Sequence, residues 1–170
     1  MYMDMFIYIN TSLNTMPIKA AMWVHGNIVE VENPKPSLKV LRWGAGSRFT
    51  ETSLDKEEYW FHIPIPTPVI LDGLRPPLNK IFIHYDRYKA YAAVYIEEVH
   101  IWDGGTKQGW SYKTDSVDPY PPPKSWVIDP PIMIYYGLGI SVKVVFGAPS
   151  AGSIIRNITF LTAGADFITP

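Results

Sequence analysis

Apolar residues recur at every second position in one short segment of the chain after another. Residues 18–25 (IKAAMWVH), 38–43 (LKVLRW), 80–85 (KIFIHY) and 140–146 (ISVKVVF) all alternate. In the last of these Ile140, Val142, Val144 and Phe146 share one face, while Ser141 and Lys143 share the other. A period of two is that of a strand with one buried face. The pattern also predicts strands at 28–32, reached from 18–25 by a two-residue hairpin turn at Gly26-Asn27, within the stretch 59–73, and at 90–103, 110–113, 132–136 and 154–162. Gly44-Ala45-Gly46 ends the strand at 38–43, and a GADF tail follows the strand at 154–162. The one helix-like run, 51–59 (ETSLDKEEY), has no apolar face and reads as a charged surface loop. Residues 114–131 make the longest predicted loop, with Pro121-Pro122-Pro123 extended as polyproline II. About ten short strands separated by turn signals, with no fixed period, predict an all-β chain folded as a jelly-roll-like β-sandwich.

Two strands depart from simple alternation. In YWFHIPIPTPVILDG (59–73) proline stands at Pro64, Pro66 and Pro68. Proline has no N–H, so these three strip the donors from one strand edge and leave Ile63, Ile65 and Thr67 to pair on the other. The expectation is a strand that borders its sheet, with Tyr59, Phe61, Ile63 and Ile65 on one face and Trp60, His62 and the prolines on the other. In 90–103 the apolar phase slips: Ala92, Val94 and Ile96 share one parity, Val99 and Ile101 the opposite one. One extra residue at Glu97-Glu98, a β-bulge, returns all five to the core and turns His100 and Trp102 outward.

Composition narrows the functional classes. Only 18% of the 170 residues are charged, the formal net charge is −1, and aromatics reach 14%. That balance argues against nucleic acid as a partner. The chain has no cysteine, so it has neither disulfides nor thiolate metal sites. The opening MYMDMFIYIN lacks the basic start of a signal peptide and is too short and broken to span a bilayer, which favours the cytoplasm over secretion. Residues 1–15 read as an N-terminal extension or arm, and 16–170 as one β-sandwich domain. The sequon Asn157-Ile158-Thr159 reads as chance without an export signal.

Segments through the chain carry a resemblance. AMWVHG (21–26), WFHIPIPTPV (60–69), VHIWDG (99–104), GLGISVKVVF (137–146) and GADF (164–167) occur in this order. With them the chain resembles an uncharacterised, domain-of-unknown-function family of small microbial all-β proteins. The resemblance implies a jelly-roll-type sandwich and brings no catalytic residues with it.

The candidate chemistry is that of binding. No His-x-His of the cupin type occurs, and His84 with Asp86 is the nearest approach to a metal pair, so no metal and no cofactor is assigned. There is no Gly-x-Ser-x-Gly elbow, no phosphate loop and no catalytic residue to name. Three couples stand out: Trp23 with His25, Trp60 with His62, and His100 with Trp102. Each places an indole and an imidazole on one strand face, a pairing suited to sugars or other flat, amphipathic ligands. The sequence therefore predicts a non-enzymatic binding or self-assembly module that forms a homo-oligomer, with the arm adding a strand to a neighbour's sheet. A carbohydrate-binding, lectin-like module is the first alternative and a metal-dependent cupin-like enzyme the second.

Overall fold

Most of the alternating segments become strands of two antiparallel sheets packed face to face. The computed structural model describes residues 17–68, 70–87, 94–113, 124–148 and 156–170. The apolar arm and the Pro121-Pro122-Pro123 run lie outside these. The strands are β1 (Ile18–His25), β2 (Glu30–Val31), β3 (Leu38–Trp43), β4 (Gly46–Glu51), β5 (Glu57–Ile65), β6 (Leu78–Arg87), β7 (Val94–Asp103), β8 (Thr106–Lys113), β9 (Lys124–Ile132), β10 (Leu138–Phe146) and β11 (Arg156–Ile168). The first sheet runs β3-β4-β11-β6-β9, with β1 also on β11; the second runs β2-β5-β10-β7-β8. From β4 onward the chain changes sheet at every connection except the β7–β8 hairpin. That order is a jelly-roll β-sandwich, as the strand pattern predicts.

The inward faces supply one aromatic-rich core. Phe49, Phe61, Phe146, Phe160 and Phe167 are each no more than 1% exposed. Phe49 meets Phe61 edge-on at 4.7 Å and Phe160 at 6.0 Å, so three strands from both sheets share one cluster. Each such ring contributes roughly 1.5–3 kcal/mol by leaving water.

Several expectations need correction, among them the strand at 132–136, of which only Ile132 belongs to a strand, the end of β9. Gly26-Asn27 is not a hairpin turn: Gly26–Ile28 is a single 3₁₀ turn that carries the chain from β1 in the first sheet to β2 in the second. A side chain at Gly26 would put its Cβ 2.0 Å from the Phe160 carbonyl oxygen, so glycine serves close approach here rather than turn geometry. The hydrophilic GSRFTE is strand β4: Phe49 supplies its large core side chain, and Ser47, Arg48 and Glu51 find polar partners in Asn27, Thr159 and Tyr59. The run 51–59 forms no helix, as expected, although Glu51 closes β4 and Glu57 already opens β5.

Residues 124–131 are not loop but most of β9. Pro130 and Pro131 are tolerated there because β9 is an outer strand, and its pairing jumps from Val127 opposite Lys80 to Ile132 opposite Leu78. The GADF segment is no tail but the second half of β11, paired with β1 on one side and β6 on the other.

The proline strand behaves as an edge only where its prolines lie. β2 covers Phe61 and His62, its pairing stops there, and β5 itself ends at Ile65, leaving Pro66 and Pro68 beyond the strand. Among the described residues no helix is long and apolar enough to cross a membrane.

Candidate functional site

The outward face of the second sheet is built on β10, where Gly139, Ser141 and Lys143 alternate with the core residues. Antiparallel register sets what stands beside each. Gly139 lies between Pro64 on β5 and Trp102 on β7, Ser141 between His62 and His100, and Lys143 between Trp60 and Glu98. The register of β7 against β10 shifts between Lys143/Glu98 and Val144/Ile96, which makes Glu97 the extra residue. This is the bulge that the slipped phase predicts, and it is why His100 and Trp102 face outward.

Two small residues flanked by taller ones leave a groove. It has a volume of about 810 Å³, with Gly139 and Ser141 at its centre, His62 and Pro64 along β5, Trp102 on β7, and Asn27 and Glu30 from the β1–β2 crossing. A smaller hollow of about 310 Å³ continues from it past Trp60, His100, Lys107 and Glu32, sharing His62, Trp102 and Ser141.

The polar groups here are held in place. Ser141 Oγ lies 2.9 Å from His62 Nδ1, and His62 Nε2 lies 3.2 Å from Glu32. The Trp60 and His100 rings lie 4.6 Å apart at 34°, joining β5 to β7 across β10. His100 Nε2 lies 3.2 Å from Glu98 and 3.1 Å from Lys107 Nζ. Burial and the Lys107 charge lower the His100 pKa against the opposing pull of Glu98. Beside the hollow Lys143 bridges Glu58 (2.8 Å) and Glu97 (2.6 Å), and these hydrogen bonds raise its pKa. The Trp102 indole Nε1 is buried with no hydrogen-bond partner among the described residues.

Of the three predicted couples, the structure brings two together. Trp60 with His62 and His100 with Trp102 converge on this groove from either side of β10. Trp23 and His25 do not join them, because β1 belongs to the first sheet. Trp23 lies over Gly164, where a Cβ would come 2.6 Å from its ring, and packs 5.1 Å from Phe82. His25 lies 3.1 Å from the Gly44 carbonyl oxygen and accepts the Asn27 N–H. Ser141, Gly139, Glu32 and Lys107 are site residues that the sequence reading did not single out.

Ser141, His62 and Glu32 form a serine–histidine–carboxylate chain of hydrogen bonds. Ser141 is only 4% exposed and sits in a strand paired on both sides, where backbone N–H groups are committed to the ladder rather than free to hold an oxyanion. The arrangement is one of fixed hydrogen-bonding groups beside aromatic faces. Among the described residues no group of three or more His, Asp or Glu is placed to hold a metal ion.

A family model described as "Family of unknown function (DUF6623)" matches residues 16–150. The first four quoted segments lie within that span and GADF lies beyond it. No curated protein matches the chain. Among solved structures the carbohydrate-binding module TmCBM61, determined in complex with β-1,4-galactotriose, is similar at 13% identity and TM-score 0.45, over 82% of this chain and 90% of that one. A likeness that distant says nothing about the groove.

Proposed function

Because the chain belongs to DUF6623, a family of unknown function, we propose its role from its own residues: it is a binding module whose groove on the second sheet takes a carbohydrate. The observation that carries this is the convergence of Trp60, His62, His100 and Trp102 around the small residues Gly139 and Ser141. Sugars present apolar C–H faces rimmed by hydroxyls. A site with indole walls and a few fixed polar atoms meets both needs.

The test is calorimetric titration of the protein with a panel of neutral oligosaccharides. Gly139→Val is the blocking variant, since a Cβ there meets only Trp102 Cβ at an ordinary 3.5 Å and the added methyls enter the groove. We expect at least one glycan to bind, the variant to keep its melting temperature, and affinity to fall by about thirtyfold, as for loss of a central contact. No binding across the panel overturns the proposal.

A second reading, self-association, rests on β3. It is an outer strand of the first sheet, with Val40 41% and Leu41 59% exposed.

A further inference from the structure

The hydrogen-bonding groups around the groove are not balanced. Part of the donor capacity is already committed. Asn27 Nδ2 donates one N–H to the Trp43 carbonyl oxygen at 3.0 Å, Lys107 Nζ gives one of its three N–H groups to His100 at 3.1 Å, and the Trp102 N–H is buried. His62 extends the pattern. The geometry suits the tautomer in which Nε2–H donates to the Glu32 carboxylate and Nδ1 accepts, with Ser141 giving its one hydrogen to the ring. Ser141 then has only lone pairs to offer a ligand.

The acceptors remain available. Glu30 and Glu32 enter from the β2 side with side chains 73% and 52% exposed. Arg42 holds Glu30 at 2.9 Å but is not itself part of the groove wall. Among the described residues lining the two hollows, the carboxylates are thus Glu30 and Glu32 and the ammonium is Lys107.

We infer that the groove selects uncharged, hydroxyl-rich glycans and rejects anionic ones such as uronates, with Glu32 as the residue that sets this preference; the inference rests on the carbohydrate reading above. A neutral sugar brings hydroxyl donors to Ser141, Glu30 and Glu32. A uronate replaces a donor by a carboxylate, which meets two like charges, Glu30 and Glu32, in the same groove.

The experiment pairs each neutral oligosaccharide with the uronate oligomer of the same ring configuration and length, titrated into the protein at low and high salt. The neutral member should bind at least about tenfold tighter at low salt, the gap narrowing as salt rises. Glu32→Gln keeps an acceptor for His62 and removes the charge, so it should raise uronate affinity several-fold and shrink the neutral-over-uronate ratio. A uronate that binds as well as its neutral partner overturns the selectivity and leaves the carbohydrate reading standing. Silence from both members of every pair overturns the carbohydrate reading itself.

Discussion

At Asp103, the aspartate of VHIWDG, one buried carboxylate holds the turn into β10. It is 4% exposed and accepts the backbone N–H groups of Tyr135 (2.8 Å), Tyr136 (2.6 Å) and Gly137 (3.2 Å). Burial pushes its pKa up, but the three N–H donors, with help from Arg75, outweigh that and hold it below the usual range. A folded-state pKa below the unfolded one stabilises the fold above about pH 4 and ceases to do so as pH falls through the folded value. Asp103→Asn should therefore cost roughly 2–3 kcal/mol at neutral pH. The difference from the parent should shrink on acidification. Urea unfolding at pH 7 and at pH 3 checks this, and an equal difference at both would count against it. Glycine at 26 and 46 is fixed by the same kind of local demand, since a Cβ at either would come within about 2 Å of one carbonyl oxygen, that of Phe160.

Among the elements, β7 decides whether the groove exists. Val94 and Ile96 point inward before the bulge, Val99 and Ile101 after it, and Glu97 is the residue that makes both possible. Deleting Glu97 forces one pair out of the core or turns His100 and Trp102 away from Ser141. Exposing two branched side chains costs about 3–6 kcal/mol, a large share of a typical domain's stability. We expect the denaturation midpoint to fall accordingly; a loss under about 1 kcal/mol would show that β7 tolerates either phase. The element scale also explains what escaped the sequence. β9 carries Pro130 and Pro131 because outer strands can spare donors, and the end of β11 carries Gly164 because Trp23 needs the room. Composition alone makes both segments look like loop.

For the whole molecule, the question is which sheet edges remain open. Prolines interrupt β9, Pro64 stands two residues past His62, the last residue paired with β2, and the β7–β8 pairing shifts register between His100 and Trp102. β3 is an outer strand of six residues whose register with β4 is unbroken, and it exposes Val40 and Leu41 on opposite faces. We propose that if the chain associates with itself, it does so there. Leu41→Lys should return a larger particle to monomer mass in light scattering, and an unchanged larger mass would exclude β3 as the contact. The arm at residues 1–15, the first candidate for strand addition, lies outside the described residues.

Sequence pattern by itself determined β1, β3, β5, β6, β7 and β10 as strands, the buried faces of β5, β6, β7 and β10, the bulge in β7 and the bare edge at Pro64. Each of these follows from local covalent geometry: side chains alternate every residue, one inserted residue reverses the phase, and proline lacks a donor. Only the tertiary structure decided which strands became neighbours, because pairing joins residues with no sequence signal between them. His62 meets Ser141 across 79 residues, and the Trp60–His100 stack exists only because β10 lies between β5 and β7. The same long-range pairing sent Trp23 and His25 to the other sheet, so of three couples that look alike in the sequence two line the groove and one does not.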